Sequence, residues 1–246
     1  MRAKVMAVIP ARLGSKRFNG KVLHPYKGKP LLFYVWQAVA KSRLIERLII
    51  ASDNSKILYA AEQFGAEVMS TSSRHKTGSD RLAEVAEKIK ASLYVNIQAD
   101  CFGLKATVLD RTITKILHTP SIEYATLARK IIKETDLFNP HKVKLVCSPE
   151  GNALWFSRYP IPYLQHYDKG QRFRQFPFLE HIGIYFFRRK ALRQFTDWTR
   201  SDLEKAESLE QLRILANNKQ IMTYKTSMKT VSVDSPADLK RIKSLS

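Results

Sequence analysis

A chain of 246 residues that alternates short apolar runs with amphipathic stretches predicts an α/β fold. The expected architecture is a mostly parallel, nucleotide-binding-type sheet of three layers with helices on both faces. Three observations carry it. The runs VMAVI (5–9), RLIIA (47–51) and LYVNI (93–97) are apolar almost throughout, as strands covered on both faces are. Between them apolar residues recur at helical spacing. After about Ala125 the pattern changes to strands joined by a turn cluster, which predicts a smaller β-rich subregion.

The elements follow in order. VMAVI is the first strand. Leu31, Tyr34, Val35, Ala38 and Val39 then mark a helix, and RLIIA is the second strand. Ile57, Ala60, Ala61 and Phe64 form a helical stripe that stops at Gly65. AEVMS (66–70) is a short strand, Leu82, Val85, Ala86 and Ile89 repeat the stripe, and LYVNI is the fourth strand, with a helix over 105–117 after it. VKLVCS (143–148) and NALWFS (152–157) flank Pro149-Glu150-Gly151-Asn152 and read as a hairpin. Segment 155–178 is rich in Trp, Tyr, Phe and Pro. Its prolines argue against a central strand or helix, and its aromatics need a surface, in the core or on a partner subunit. HIGIYFF (181–187) is a strand, with helices near 189–198 and 208–218 after it. VSVDSPADLKRI (231–242) is a strand running into a helix, with Ser235 as cap, Pro236 at the first position and Asp238 closing a capping box. No repeat or linker interrupts the chain. We therefore expect a single nucleotidyltransferase-like domain over 1–246, with 142–187 as its β-rich sugar-binding and dimerisation subregion.

Composition narrows the setting. No apolar run reaches the roughly 18 residues of a membrane span. The start, MRAKVMAVIPAR, is too short in its apolar part for a secretion signal and reads as the first strand. Two cysteines, Cys101 and Cys147, make neither a disulfide framework nor a metal spacing, and a cytoplasmic location is expected. The formal net charge of +20 favours anionic partners such as nucleotides, acidic sugars, nucleic acid or a membrane surface. The basic residues are spread along the chain, which suits a solvated surface better than a nucleic-acid patch.

In a parallel sheet, ligands sit beyond the carboxyl ends of the strands. The first such loop, PARLGSKRFNGK, lacks both the dinucleotide fingerprint and the Walker motif. It gathers Arg12, Ser15, Arg17 and Lys21 around two glycines, donors that suit a triphosphate; the plainer reading is a basic surface loop. In RHKTGSDRLAEV, Thr77 and Asp80 fit a capping box, whereas Arg81 lies in the first helical turn, where the macrodipole disfavours a cation. Gln98 and Asp100 close the LYVNI strand and Asp234 closes VSV. Each carboxylate can be a cap or turn residue, but together they suggest metal-assisted chemistry on a nucleotide, with Mg²⁺ as the cation.

The order of motifs resembles the 3-deoxy-manno-octulosonate (Kdo) cytidylyltransferases, the CMP-Kdo synthetases of lipopolysaccharide synthesis. The matching stretches are IPARLGSKRFNGKVL, GKPLL, HKTGSDRLAEV, VNIQAD, FNPHKVKLV, ALWFSRYPIP, HIGIYFFR, SLEQLRIL and VDSPADL, in that order and over nearly the whole chain. The resemblance implies that Arg12, Ser15 and Lys21 hold the CTP phosphates, that Arg81 lies by the cytosine with Gln98 in the nucleotide site, and that Asp100 and Asp234 bind Mg²⁺. Lys21, Asp100 and Asp234 would be the catalytic set. It places Arg158, His181, Tyr185, Glu210 and Gln211 on the sugar acid: a guanidinium fork and an imidazole for its carboxylate, hydroxyl and amide partners for its hydroxyls. Gln211 could instead complete a capping box with Ser208. The implied reaction is transfer of CMP from CTP to the anomeric hydroxyl of Kdo, by a homodimer with no specific nucleic acid and no integral membrane contact.

The chain departs from the family tolerably at Phe18-Asn19-Gly20-Lys21 (for Leu-Pro-Gly-Lys) and His75-Lys76-Thr77-Gly78 (for His-Gln-Ser-Gly), and more sharply at one loop. Gln-Gly-Asp-Glu-Pro becomes Gln98-Ala99-Asp100-Cys101-Phe102. Ala99 would be strained if its position needs a positive φ. Cys101 and Phe102 would retune the site toward a modified or related 2-keto sugar acid, such as 8-amino-Kdo. A non-catalytic basic binding protein on the same scaffold is the remaining alternative, against which the retained Lys21, Asp100 and Asp234 argue.

Overall fold

A computed structural model describes residues 5–14, 18–166, 172–233 and 238–242. The chain enters through β1 (Val5–Ala11), a small hairpin of β2 (Pro25–Tyr26) and β3 (Lys29–Pro30), and α1 (Leu31–Ala40). It then alternates β4 (Arg47–Ser52), α2 (Ser55–Glu62), β5 (Glu67–Ser70), α3 (Gly78–Lys88) and β6 (Leu93–Ile97). After β7 (Cys101–Phe102) come α4 (Ala106–His118), β8 (Tyr124–Lys130), α5 (Glu134–Leu137), β9 (Lys144–Cys147), β10 (Ala153–Ser157) and α6 (Arg172–Gln175). The last part holds β11 (Leu179–Arg188), α7 (Arg189–Asp197), α8 (Asp202–Glu207), α9 (Leu212–Ala216), β12 (Ile221–Lys225), β13 (Val231–Ser232) and α10 (Leu239–Ile242).

Among the described residues, nine strands form one sheet. Its main path is β5-β4-β1-β6-β11-β8-β12, parallel except for β11, which runs against both neighbours. The first residues of β11 also pair with β9, and β10 completes that hairpin. Strand alternation builds two cores. Val5, Ala7, Ile9 and Ala11 of β1 pack with residues of α1, α2 and α4, whereas Met6 and Val8 pack with α3, α7 and α9. The three-layer architecture expected from the apolar runs is the one observed. Gly65 ends its helical turn at φ 83°, and Asn54 caps α2 through bonds from Lys56 and Ile57.

Three local differences matter. β8 lies inside the sheet and β12 at its edge, but both escape the apolar-run criterion, because YATLARK and IMTYK also bury small and polar residues such as Ala125, Thr126, Ala128 and Thr223. The helix expected near 208–218 shortens to α9, and a separate helix, α8, precedes it. Ser208 ends α8 in the left-handed conformation at φ 52°, so the chain turns before α9 begins. The hairpin strands and HIGIYFF join the main sheet edge to edge. β11 is bulged at Gly183 and Ile184, where pairing to β8 jumps from Ile182–Leu127 to Tyr185–Thr126. The expected capping pair Ser235 and Pro236 lies outside the described residues.

Candidate active site

Two adjoining cavities open beyond the carboxyl ends of β1 and β6 and meet at Arg12, Gln98, Asp100, Arg158 and Glu210. This is where an open parallel sheet binds ligands. The first cavity is lined by the loop after β1 and the start of α3; the second by β11 and the turn between α8 and α9.

Gly20, at φ 68°, turns the first loop into a short 3₁₀ helix over Lys21–Leu23. That turn sends Lys21 across to the tip of β6, where Nζ donates to Asp100 Oδ2 at 2.5 Å and to the Val233 carbonyl at 2.8 Å. One ammonium thus ties the first loop, the β6 tip and the end of β13. Ser232 Oγ donates to the same carboxylate at 3.2 Å. Asp100 is not the cap of α4, whose N-cap is Lys105. Ser15 and Asp234 lie outside the described residues. The oxygens of Asp100, Gln98 and Ser232 are hard donors of the kind a divalent cation takes, although no group of three His, Cys, Asp or Glu gathers around a common point among the described residues.

The predicted capping box is present, with Thr77 accepting from the Asp80 amide and Asp80 accepting from the Thr77 amide. Arg81 resolves its helix-dipole conflict by burial against partners. Its guanidinium donates to Asp53 at 3.0 Å and to the Thr71 hydroxyl while lining the first cavity. His75 on the same wall is held by Glu84 at 2.6 Å. Burial works against the Glu84 charge, yet the Ser72 amide, His75 and Lys88 bring its carboxyl down to about 2.

The second cavity contains the five residues expected on the sugar acid, with one correction. His181 is pushed down to about 3 by burial, so it is neutral and cannot neutralise a carboxylate as an imidazolium would. Thr126 Oγ1 lies 2.8 Å from the Ile184 carbonyl and 2.8 Å from His181 Nε2. The single hydroxyl proton goes to the carbonyl, so Nε2–H donates to Thr126 and Nδ1 is left as the acceptor. Tyr185 donates to Gln211 Oε1 at 2.9 Å, its phenol raised well above the usual value by burial. Gln211 therefore forms no capping box with Ser208, and its Nε2 has no partner among the described residues. The Glu210 carboxyl is raised by burial, against the lowering effect of the Ser79 amide and the Thr77 and Ser79 hydroxyls.

Arg158 is the most constrained member. Its amide bonds Glu207 Oε2, and its guanidinium reaches the carbonyls of Glu207 at 2.7 Å and Pro140 at 2.9 Å. Behind it, fully buried Lys144 donates to the carbonyls of Asn139, Lys142 and Arg158. That ammonium holds loop 139–142 and Arg158 together. Burial lowers Lys144 to about 8, further lowered by Arg158 and opposed by Glu180 and Glu207.

The altered loop looks different in place. Ala99 is not among the residues with positive φ, so its methyl causes no backbone strain. Phe102 is buried in the core on the α1 side, away from both cavities. Cys101 borders the second cavity, but burial, then Asp100, push its thiol up to about 12, so it supplies no thiolate. Sequence reasoning missed Asp53, Lys144, Glu207 and Asn96. Only Asn96 carried a local signal, a lone amide inside the apolar run LYVNI.

Comparison with known proteins agrees with this geometry. The cytidylyltransferase family model matches residues 6–221. A 3-deoxy-manno-octulosonate cytidylyltransferase of Geobacter metallireducens is 38% identical over 97% of this chain and 96% of its own. The one from Geobacter sulfurreducens is 37% identical over 97% of both. A solved structure of CMP:2-keto-3-deoxy-manno-octonic acid synthetase complexed with CTP superposes at a TM-score of 0.90, with 33% identity, covering 99% of this chain and 98% of that one. Relatives this similar over nearly their full length, with the same fold, show that the chain belongs to the 3-deoxy-manno-octulosonate cytidylyltransferase family.

Proposed function

We propose that this enzyme transfers CMP from CTP to the anomeric hydroxyl of Kdo, giving CMP-Kdo and pyrophosphate. The observation that carries the reading is the Lys21–Asp100 pair at the junction of the two cavities. A nucleotide on the Arg12 and Arg81 side and a sugar acid on the His181 and Tyr185 side would meet there. The hydroxyl oxygen forms a bond to the α-phosphorus, the bond from that phosphorus to the bridging oxygen breaks, and the hydroxyl proton is released. Arg12 and Lys21 offset the charge that grows on the departing pyrophosphate. Ser15 and Asp234, assigned from the sequence, would complete the phosphate and metal sets.

Asp100 and Asp234 would hold Mg²⁺, which when bound neutralises phosphate charge and favours the ionised hydroxyl. The second cavity offers the sugar acid Arg158 as its cationic group, with His181 Nδ1, Gln211 Nε2 and Glu210 for hydroxyls. Among the described residues no helix is long and apolar enough to cross a membrane, and a cytoplasmic location completes the reading.

The test is pyrophosphate release with CTP, Mg²⁺ and each of Kdo, 8-amino-Kdo and a sialic acid. Kdo turned over fastest is the expected result. Because Cys101 borders the sugar cavity, a clear preference for 8-amino-Kdo would move the assignment to that related sugar acid. Release with none of them would sink it.

A further inference from the structure

We infer that Asn96 reads the base, its side-chain carbonyl accepting a hydrogen bond from the exocyclic amino group of cytosine. The inference rests on the reading of the first cavity as the CTP site. Asn96 lies in β6 between Val8 of β1 and Tyr185 of β11. It is 1% exposed and lines the first cavity. A polar side chain in the middle of a covered strand needs partners. One half of this amide has them: Nδ2 donates to Ser79 Oγ at 3.0 Å. Ser79 in turn hydrogen-bonds the Glu210 carboxyl through its hydroxyl. Because the hydroxyl proton points to Glu210, Ser79 Oγ can only accept from Asn96, which fixes the amide orientation. Oδ1 then faces away from Ser79, and it has no hydrogen-bond partner among the described residues.

The wall over Asn96 carries no side chain at Gly78. A Cβ at Gly78 would lie 3.4 Å from Asn96 Nδ2, 3.7 Å from Oδ1 and 3.1 Å from Pro10 Cγ. Glycine adds no side chain over the amide, whose Oδ1 is itself buried. A buried acceptor suits neither the phosphates nor a carboxylate, both of which are acceptors themselves. The donors on CTP are the ribose hydroxyls and the cytosine amino group. A hydroxyl brings lone pairs that also want a donor, and one of the two N–H groups of Asn96 is already spent on Ser79. The amino group brings two N–H bonds and no competing lone pair. Uracil would set its carbonyl against Oδ1, two acceptors facing each other with no proton between them, so Asn96 also discriminates CTP from UTP. Sites built to hydrogen-bond one group reject analogues lacking it far more strongly than apolar pockets do.

The experiment measures pyrophosphate release by the full chain with CTP, UTP, 2′-deoxy-CTP and 4-deamino-CTP (2-pyrimidinone riboside triphosphate), for the parent, Asn96→Leu and Asn96→Ala. For the parent, kcat/KM should fall about 100-fold when the amino group is removed. Both variants should lose a similar factor with CTP, use 4-deamino-CTP no worse than the parent does, and keep the KM for the sugar acid. Equal losses with CTP and 4-deamino-CTP would overturn the inference. So would a loss confined to nucleotides carrying the 2′-hydroxyl, which would transfer Asn96 to the ribose. If neither variant folds, a parent that uses 4-deamino-CTP as well as CTP overturns it alone. A parent that neither binds nor turns over CTP removes the nucleotide reading itself. That result is distinct from a parent that prefers CTP and variants that keep the preference.

Discussion

Gly183 shows how one missing side chain shapes this site. A Cβ there would come within 2.7 Å of Gln98 Cδ, 2.8 Å of Nε2 and 2.9 Å of Oε1. The glycine is required by that close approach, since its φ is not positive. Gln98 lines both cavities, so Gly183→Ala should displace an active-site amide without disturbing the β11 pairing around it. The atoms in the way belong to the end of a flexible side chain, and the stability cost should stay near 1 kcal/mol. We expect the KM for CTP to rise about fivefold or more, checked by steady-state kinetics beside a thermal melt. A loss of stability of several kcal/mol with unchanged KM would show that the glycine serves the fold alone.

At the scale of elements, the loop after β6 is clasped by the end of the chain. β7 pairs antiparallel with β13 through Phe102–Val231 and Cys101–Ser232, and the Val233 amide donates to the Asp100 carbonyl. Phe102 anchors this clasp in the core at 4% exposure. Its replacement of the family's proline is therefore a packing feature, while Cys101 keeps a further charge away from Asp100. Phe102→Ala should cost about 3 kcal/mol and, by loosening the clasp, also lower turnover. Denaturant unfolding and pyrophosphate release read both effects. A variant as stable as the parent would contradict the anchoring role. The α8–α9 turn is a second such device: Glu204 at 1% exposure holds Arg213 at 2.7 Å beneath the turn that presents Glu210 and Gln211.

At the scale of the whole molecule, the aromatic segment divides into a buried and an open half. Phe178 packs with Ile131 and Leu137, joined by Leu164, Phe173 and Phe176. Their chain neighbours Ile132 and Phe138, with Tyr159 and Tyr163, remain exposed, at 68%, 65%, 79% and 73%. Large apolar side chains left open around a packed cluster fit a subunit interface. We propose that region 142–187 together with these residues forms the homodimer contact. The parent should sediment as a dimer at micromolar concentration, and Tyr159→Glu with Tyr163→Glu should shift it to a monomer. A monomeric parent would refute the contact. The surplus of basic residues, 42 Lys and Arg against 22 Asp and Glu, places anion-binding groups such as Arg12, Lys21 and Arg158 in a favourable field for both anionic substrates.

The sequence by itself determined the layers, the succession of strands and helices along the chain and the loops that carry chemistry, because unbroken apolar runs, helical spacing and capping residues are local signals. Strand-end reasoning pointed to the loops that carry Arg12, Lys21, Gln98 and Asp100, the family resemblance brought Arg81 to the nucleotide, and the structure gathers all five around the first cavity. Only the tertiary structure decided what burial does to those groups. His181 is neutral because the sheet encloses it, and Phe102 belongs to the core because β13 returns to cover it. Lys144 holds three carbonyls that no spacing rule would bring together. Asn96 is oriented by Ser79, which Glu210 holds in turn, and its Oδ1 has no partner among the described residues. Charge state, register and hydrogen-bond polarity depend on which distant segments exclude water from a group, and that exclusion arises only when the chain is folded.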